Sequence, residues 1–135
     1  MTDAATQQPK VYVVDDDEAV RDSIQLLLQS VDHVVETFDS PLAFLNAAPG
    51  ITSGCLVLAS ELGASKSGAS GLGTPGGVAL LLQLRERGIA IPAIVTANQG
   101  GVPLAVEAMR AGAADFLEKP LLDARLLLAV KRVMK

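Results

Sequence analysis

Five times along this chain a short β-branched or aliphatic run stops at a polar or glycine-rich turn and is followed by a stretch of helical period. Connections this short between strand and helix demand right-handed crossovers, and with them a parallel sheet covered by helices on both faces. The strands are expected at Val11–Val14, His33–Phe38, Leu56–Leu58, Ile91–Thr96 and Asp115–Leu117. Leu56-Val57-Leu58 lies between a Gly-Cys start and a polar exit, which reads as a buried central strand reaching the rim of the sheet at Ala59.

The intervening segments supply the helices. After Asp17, Val20, Ile24, Leu27, Leu28 and Val31 fall on one face, with Arg21, Asp22 and Gln25 on the other. Asp39-Ser40 before Pro41 opens a second helix that Pro49-Gly50 closes. A third is expected at Val78–Arg87, stopped by Gly88. A fourth, Pro103–Ala111, has Val102, Val106 and Met109 inward and Gly112 as its stop. The last, Leu121–Met134, places Leu122, Leu126, Ala129, Val130 and Val133 on one side.

At 135 residues the chain has the size of one domain, and 50% hydrophobic residues suffice for one core. With three Phe and one Tyr, that core must be mainly aliphatic. Residues 1–9 read as a loose lead-in to a domain at 10–135. The Gly/Ser-rich segment at 63–77 reads as an inserted loop, expected to be mobile on the nanosecond to microsecond scale.

Fifteen acidic against eleven basic residues leave a net charge of −4, so no overall positive field favours nucleic acid or an anionic membrane. Nucleic-acid binding by this domain alone is not expected. No apolar run approaches the roughly 18 residues of a membrane span, and the N-terminus has no apolar signal region. A soluble cytoplasmic domain is expected. Cys55 is the single cysteine, which excludes an internal disulfide, and in an apolar strand it reads as core filler.

A parallel sheet of this kind places function at the carboxyl ends of its strands. Those ends carry Asp15-Asp16-Asp17, Ala59 to Glu61, Thr96 to Gln99, and Glu118-Lys119-Pro120. Acids facing a lysine suit a divalent metal and a phosphate, because a hard cation relieves the repulsion between adjacent carboxylates. The same acids also read as a solvated loop and helix cap favoured by the helix dipole. Gly71-Leu72-Gly73-Thr74-Pro75-Gly76 matches a dinucleotide fingerprint in letters but lies a dozen residues beyond its strand, so nucleotide binding is not expected.

Val11 to Arg21, Gly54 to Leu58, and above all Val102 to Pro120 resemble the receiver domain of bacterial two-component response regulators. The similarity runs from about residue 10 to the end. It is greatest to the nitrogen-fixation type, whose receivers precede a helix-turn-helix output domain of the LuxR kind. The resemblance implies a flavodoxin-like (CheY-like) α/β fold: five parallel strands in the order 2-1-3-4-5 and five helices in three layers. In that family a linker to the output domain would begin at about the position of Lys135.

On this resemblance Asp15 and Asp16 match the acids that hold magnesium, with a backbone carbonyl near Glu61 as a further ligand. Lys119 matches the lysine that neutralises the phosphoryl group, Phe116 the aromatic switch, and Pro120 the position of a cis peptide bond. The phosphoacceptor position is occupied by Ala59 and the hydroxyl position by Ala97; Thr96 lies one residue earlier, on the opposite face of a regular strand. The segment after the third strand is about ten residues longer than in such receivers, an insertion that chain entropy tolerates at roughly 0.6 kcal/mol per doubling of length.

The expectation is therefore a non-enzymatic, degenerate receiver with at most weak magnesium binding and no other cofactor. It would act by contacts with a protein partner or a second copy through the face of helix 4, strand 5 and helix 5, near Arg110, Ala111, Leu121 and Arg125. One alternative is a receiver phosphorylated by a histidine kinase, with Asp17 or Glu61 as substitute acceptor. Another is a small-molecule sensor in which the long loop closes over the pocket.

Overall fold

A computed structural model describes residues 10–51, 53–60, 76–98, 101–121 and 123–134. Five strands, β1 (Lys10–Val14), β2 (Val34–Phe38), β3 (Cys55–Ala59), β4 (Ala93–Ala97) and β5 (Asp115–Glu118), form one sheet in the order β2-β1-β3-β4-β5. Every neighbouring pair is parallel, with Val13 opposite Val57, Val57 opposite Ile94, and Ile94 opposite Asp115. The helices between them are α1 (Glu18–Gln29), α2 (Pro41–Ala47), α3 (Gly76–Glu86), α4 (Gly101–Arg110) and α5 (Asp123–Val133), with a 3-10 turn at Ala48–Gly50. The expected fold class and strand order are those observed.

Strand alternation sorts the core into two layers. Tyr12, Val14, Leu56, Leu58 and Val95 pack with Phe44 of α2, Leu80, Leu81 and Leu84 of α3, and Ala108 of α4. Val11, Val13, Cys55, Val57 and Ile94 pack on the other side with Ile24 and Leu28 of α1 and Leu126, Ala129 and Val130 of α5. β1, β3 and β4 are internal strands, and their apolar residues are buried. Phe44 meets Phe38 at 5.2 Å and Tyr12 at 6.0 Å between ring centroids, both edge-on, which is the favoured aromatic geometry.

Several expectations are corrected. Val102, Val106 and Met109 do not face inward; they are 74%, 42% and 49% exposed, and α4 turns Leu104 and Ala108 to the sheet instead. Both sets obey helical spacing, so periodicity alone does not distinguish the face that meets the sheet. Val31 is half-exposed because α1 ends two residues before it, at Gln29. β4 begins at Ala93 and reaches Ala97, not Ile91 to Thr96; Pro92, which has no N–H, contributes only its carbonyl, accepting from Leu56 N–H. Of the expected loop, Gly76 and Gly77 belong to α3, while 63–75, like residues 1–9, lie outside the described residues.

Arg85 ties the lower ends of α3 and α4 together. Its guanidinium donates to the carbonyls of Ile89 at 2.9 Å and Gly112 at 3.1 Å, and burial lowers its pKa. Gly112 has φ +103°, and a Cβ there would come within 3.0 Å of the Arg85 Nε.

Phe44→Ala is expected to cost about 3–5 kcal/mol in urea unfolding, since it empties the centre of one layer. Leu26→Ala, at an exposed position of α1, should change stability by no more than about 0.5 kcal/mol.

Candidate functional site

Hydrogen bonds carry the sheet pairing one residue past the strand ends. Asp15 N–H donates to Phe38 O (3.1 Å), Ser60 N–H to Thr96 O (2.7 Å) and Lys119 N–H to Ala97 O (2.7 Å). The residues expected to carry chemistry thus stand on fixed backbone, and two of them meet.

The Asp15 carboxylate, on a residue only 3% exposed, accepts from Lys119 Nζ at 3.0 Å through Oδ2 and from Asp17 N–H at 2.9 Å through Oδ1. The Asp15 carbonyl accepts from Arg21 Nη1 at 2.8 Å. Asp17 is committed elsewhere. Its exposed carboxylate caps α1 by accepting from the N–H groups of Ala19 and Val20, at 3.0 and 3.3 Å. Asp16 is half-buried between them. The triple acid therefore divides into a buried ion-pair member, an intermediate residue and a helix cap.

β3 ends at Ala59, opposite Thr96 and 1% exposed, followed by the buried Ser60. A methyl offers no nucleophile and no lone pair. Gly77 closes over this strand end: its N–H donates to Ser60 O at 3.1 Å, and a Cβ at 77 would overlap the Ala59 carbonyl. Ala97 is the last residue of β4, opposite Glu118, and is buried, as is Thr96. Phe116 is half-buried on β5 against the α2–α3–α4 layer. The Lys119–Pro120 peptide is cis.

Among the described residues Asp15 and Asp16 are the carboxylates expected to hold a divalent cation, and Asp15 as arranged suits one poorly. Magnesium requires a near-octahedral oxygen shell, whereas Asp15 Oδ2 is bound to an ammonium. Among the described residues no three His, Cys, Asp or Glu side chains are grouped to hold a metal. Glu61 lies outside the described residues.

Beside Lys119 a groove of about 490 Å³ runs between α1 and α5, lined by Val20, Ser23, Leu27, Asn98, Leu121 and Leu126 among others. Leu121 thus lies on the α1 side and not on the expected contact face; Ala111 is buried at the foot of α4, while Arg110 and Arg125 are exposed. Both are apolar and pack inward, Ala111 buried in the α2–α3–α4 layer and Leu121 partly buried against the α1–α5 layer. Among the described residues no helix is long and apolar enough to cross a membrane.

The model of the response regulator receiver domain matches residues 11–131, nearly the whole chain. The chain belongs to the response regulator receiver family. It is 39% identical over 132 residues to the transcriptional regulatory protein FixJ of Bradyrhizobium diazoefficiens, covering 96% of this chain and 58% of that protein. To FixJ of Azorhizobium caulinodans it is 45% identical over 121 residues, covering 90% and 53%. The crystal structure of FixJ-N superposes with a TM-score of 0.80 at 38% identity, over 95% of this chain and 94% of that one. The receiver thus spans little more than half the length of the curated relatives it matches.

Three residues of the site escaped sequence reasoning. Arg21 shows only as a polar helix position, Ser60 only as the start of an exit loop, and Gly77 only as one glycine of a glycine-rich tract. Nothing in their spacing singles them out.

Cys55 is buried in the α1–α5 layer, and burial pushes its thiol up to about 12 from 9.0. The raised value favours the neutral thiol, so the stability it contributes is present below about pH 9 and is lost as pH rises toward 12. Alkylation at pH 8.5 should be on the order of 100-fold or more slower in the native receiver than in urea, followed by mass spectrometry.

Proposed function

We propose that this receiver works by phosphorylation-independent protein contacts, controlling a DNA-binding output domain or a partner protein in bacterial signal transduction. The observation that carries this reading is Ala59: the carboxyl end of β3, where receivers place their acceptor carboxylate, holds a methyl group, 1% exposed. Phosphoryl transfer depends on a positioned nucleophile in line with the donor, and nearby acid does not replace it. Asp17 is a poor substitute because it caps α1. Ala97 likewise lacks the hydroxyl that would bind a product phosphate.

The relatives named as transcriptional regulatory proteins support a regulatory and non-enzymatic role in the cytoplasm. Their greater length supports an output domain as the object of control. The contact surface proposed is α4–β5–α5, where Val102, Val106 and Met109 form an exposed apolar stripe at helical spacing beside Arg110. Arg125 and the half-exposed Leu128 stand on α5. A protein partner or a second copy of this receiver would cover it.

A second reading, a receiver phosphorylated by a histidine kinase, is favoured by the retention of Asp15, Asp16, Phe116 and Lys119. Intact mass spectrometry after incubation with magnesium and acetyl phosphate separates the two. One phosphoryl adduct is expected on Ala59→Asp and none on the unaltered protein; an adduct on the unaltered protein would establish the second reading and locate its acceptor.

A further inference from the structure

We infer that Lys119 is the resident cation of this pocket: its ammonium, held on Asp15, takes the charge-neutralising place of a divalent ion, so that the site keeps one arrangement with or without magnesium. This inference stands on the ion pair and is independent of whether any carboxylate of the receiver accepts a phosphoryl group.

The geometry of the pair is the first argument. β1 and β5 are separated by β3 and β4, three interstrand steps or about 14 Å at the usual spacing. The Lys119 and Asp15 side chains nevertheless meet at 3.0 Å, spanning the ends of the two intervening strands. Those strands end in Ala59 and Ala97. Neither offers a carboxylate to capture the ammonium on the way, and neither has the bulk to obstruct it. Asp15 is thereby left as the buried acid that receives the lysine.

The second argument is that both partners are held in place. Lys119 N–H is fixed on Ala97 O, and the Asp15 carbonyl on the Arg21 guanidinium. With Oδ1 taken by Asp17 N–H and Oδ2 by the ammonium, a magnesium ion reaching Asp15 must displace a buried, hydrogen-bonded charge. The Asp17 carboxylate, turned to the α1 cap, is not placed to take over the ammonium's role. A lysine ammonium is compact and carries three donors, so one group supplies both the charge and the hydrogen bond.

The test is thermal unfolding with no phosphoryl donor present. The midpoint of the unaltered receiver is expected to move by less than about 1 °C when about 10 mM MgCl2 replaces NaCl at equal ionic strength. Lys119→Met frees Asp15, and its midpoint should rise by about 3 °C or more with magnesium; Lys119→Arg, which restores the cation, should return to the unresponsive behaviour. A magnesium response of the unaltered protein matching that of Lys119→Met, or a folded Lys119→Met with none, would overturn the inference. Should Lys119→Met not fold, the Asp15→Asn, Lys119→Met pair decides. Removing both charges is expected to give a domain more stable to urea than either single change, and a double variant no better than the singles would count against the resident-cation role.

Discussion

The Asp15–Lys119 ion pair joins the two ends of the sheet's functional rim, and the arrangement around it follows from the cost of burying charge. Removing one partner of such a pair costs about 3–5 kcal/mol, because the other is left uncompensated. Its neighbours accordingly satisfy it: Asp17 N–H completes the carboxylate, and Arg21 anchors the residue's backbone. Among the described residues no buried side-chain nitrogen or oxygen lacks a hydrogen-bond partner.

Around that rim, residue size sets which surfaces meet. Gly77 allows α3 to touch the β3 backbone directly, and Ala108 is buried where α4 meets the sheet. On the outer face of α4, Val102, Val106 and Met109 are left exposed, and they make the apolar stripe beside β5.

Strand order and the two-layer core were legible in the chain because short apolar runs alternate with helical ones, and parallel sheets tolerate few other connections. Asp15 and Lys119 could also be read, since strand ends in such sheets collect functional groups. What could not be read was which of three consecutive aspartates is buried. That depends on the α1 cap claiming Asp17 and on a lysine more than a hundred residues away reaching Asp15, neither of which has a local pattern. The inner face of α4 was misread for a related reason. Two residue sets shared the helical period, and that period alone does not say which of them meets the sheet.

The aromatic cluster over β1 and β2 has an optical consequence. The chain has one tyrosine and no tryptophan, and that tyrosine, Tyr12, lies against Phe38 and Phe44. Intrinsic fluorescence and near-ultraviolet dichroism of this protein therefore originate almost wholly in a part of the core beneath α2. They report whether that layer is packed, and a rearrangement confined to α4 would leave the tyrosine signal unchanged.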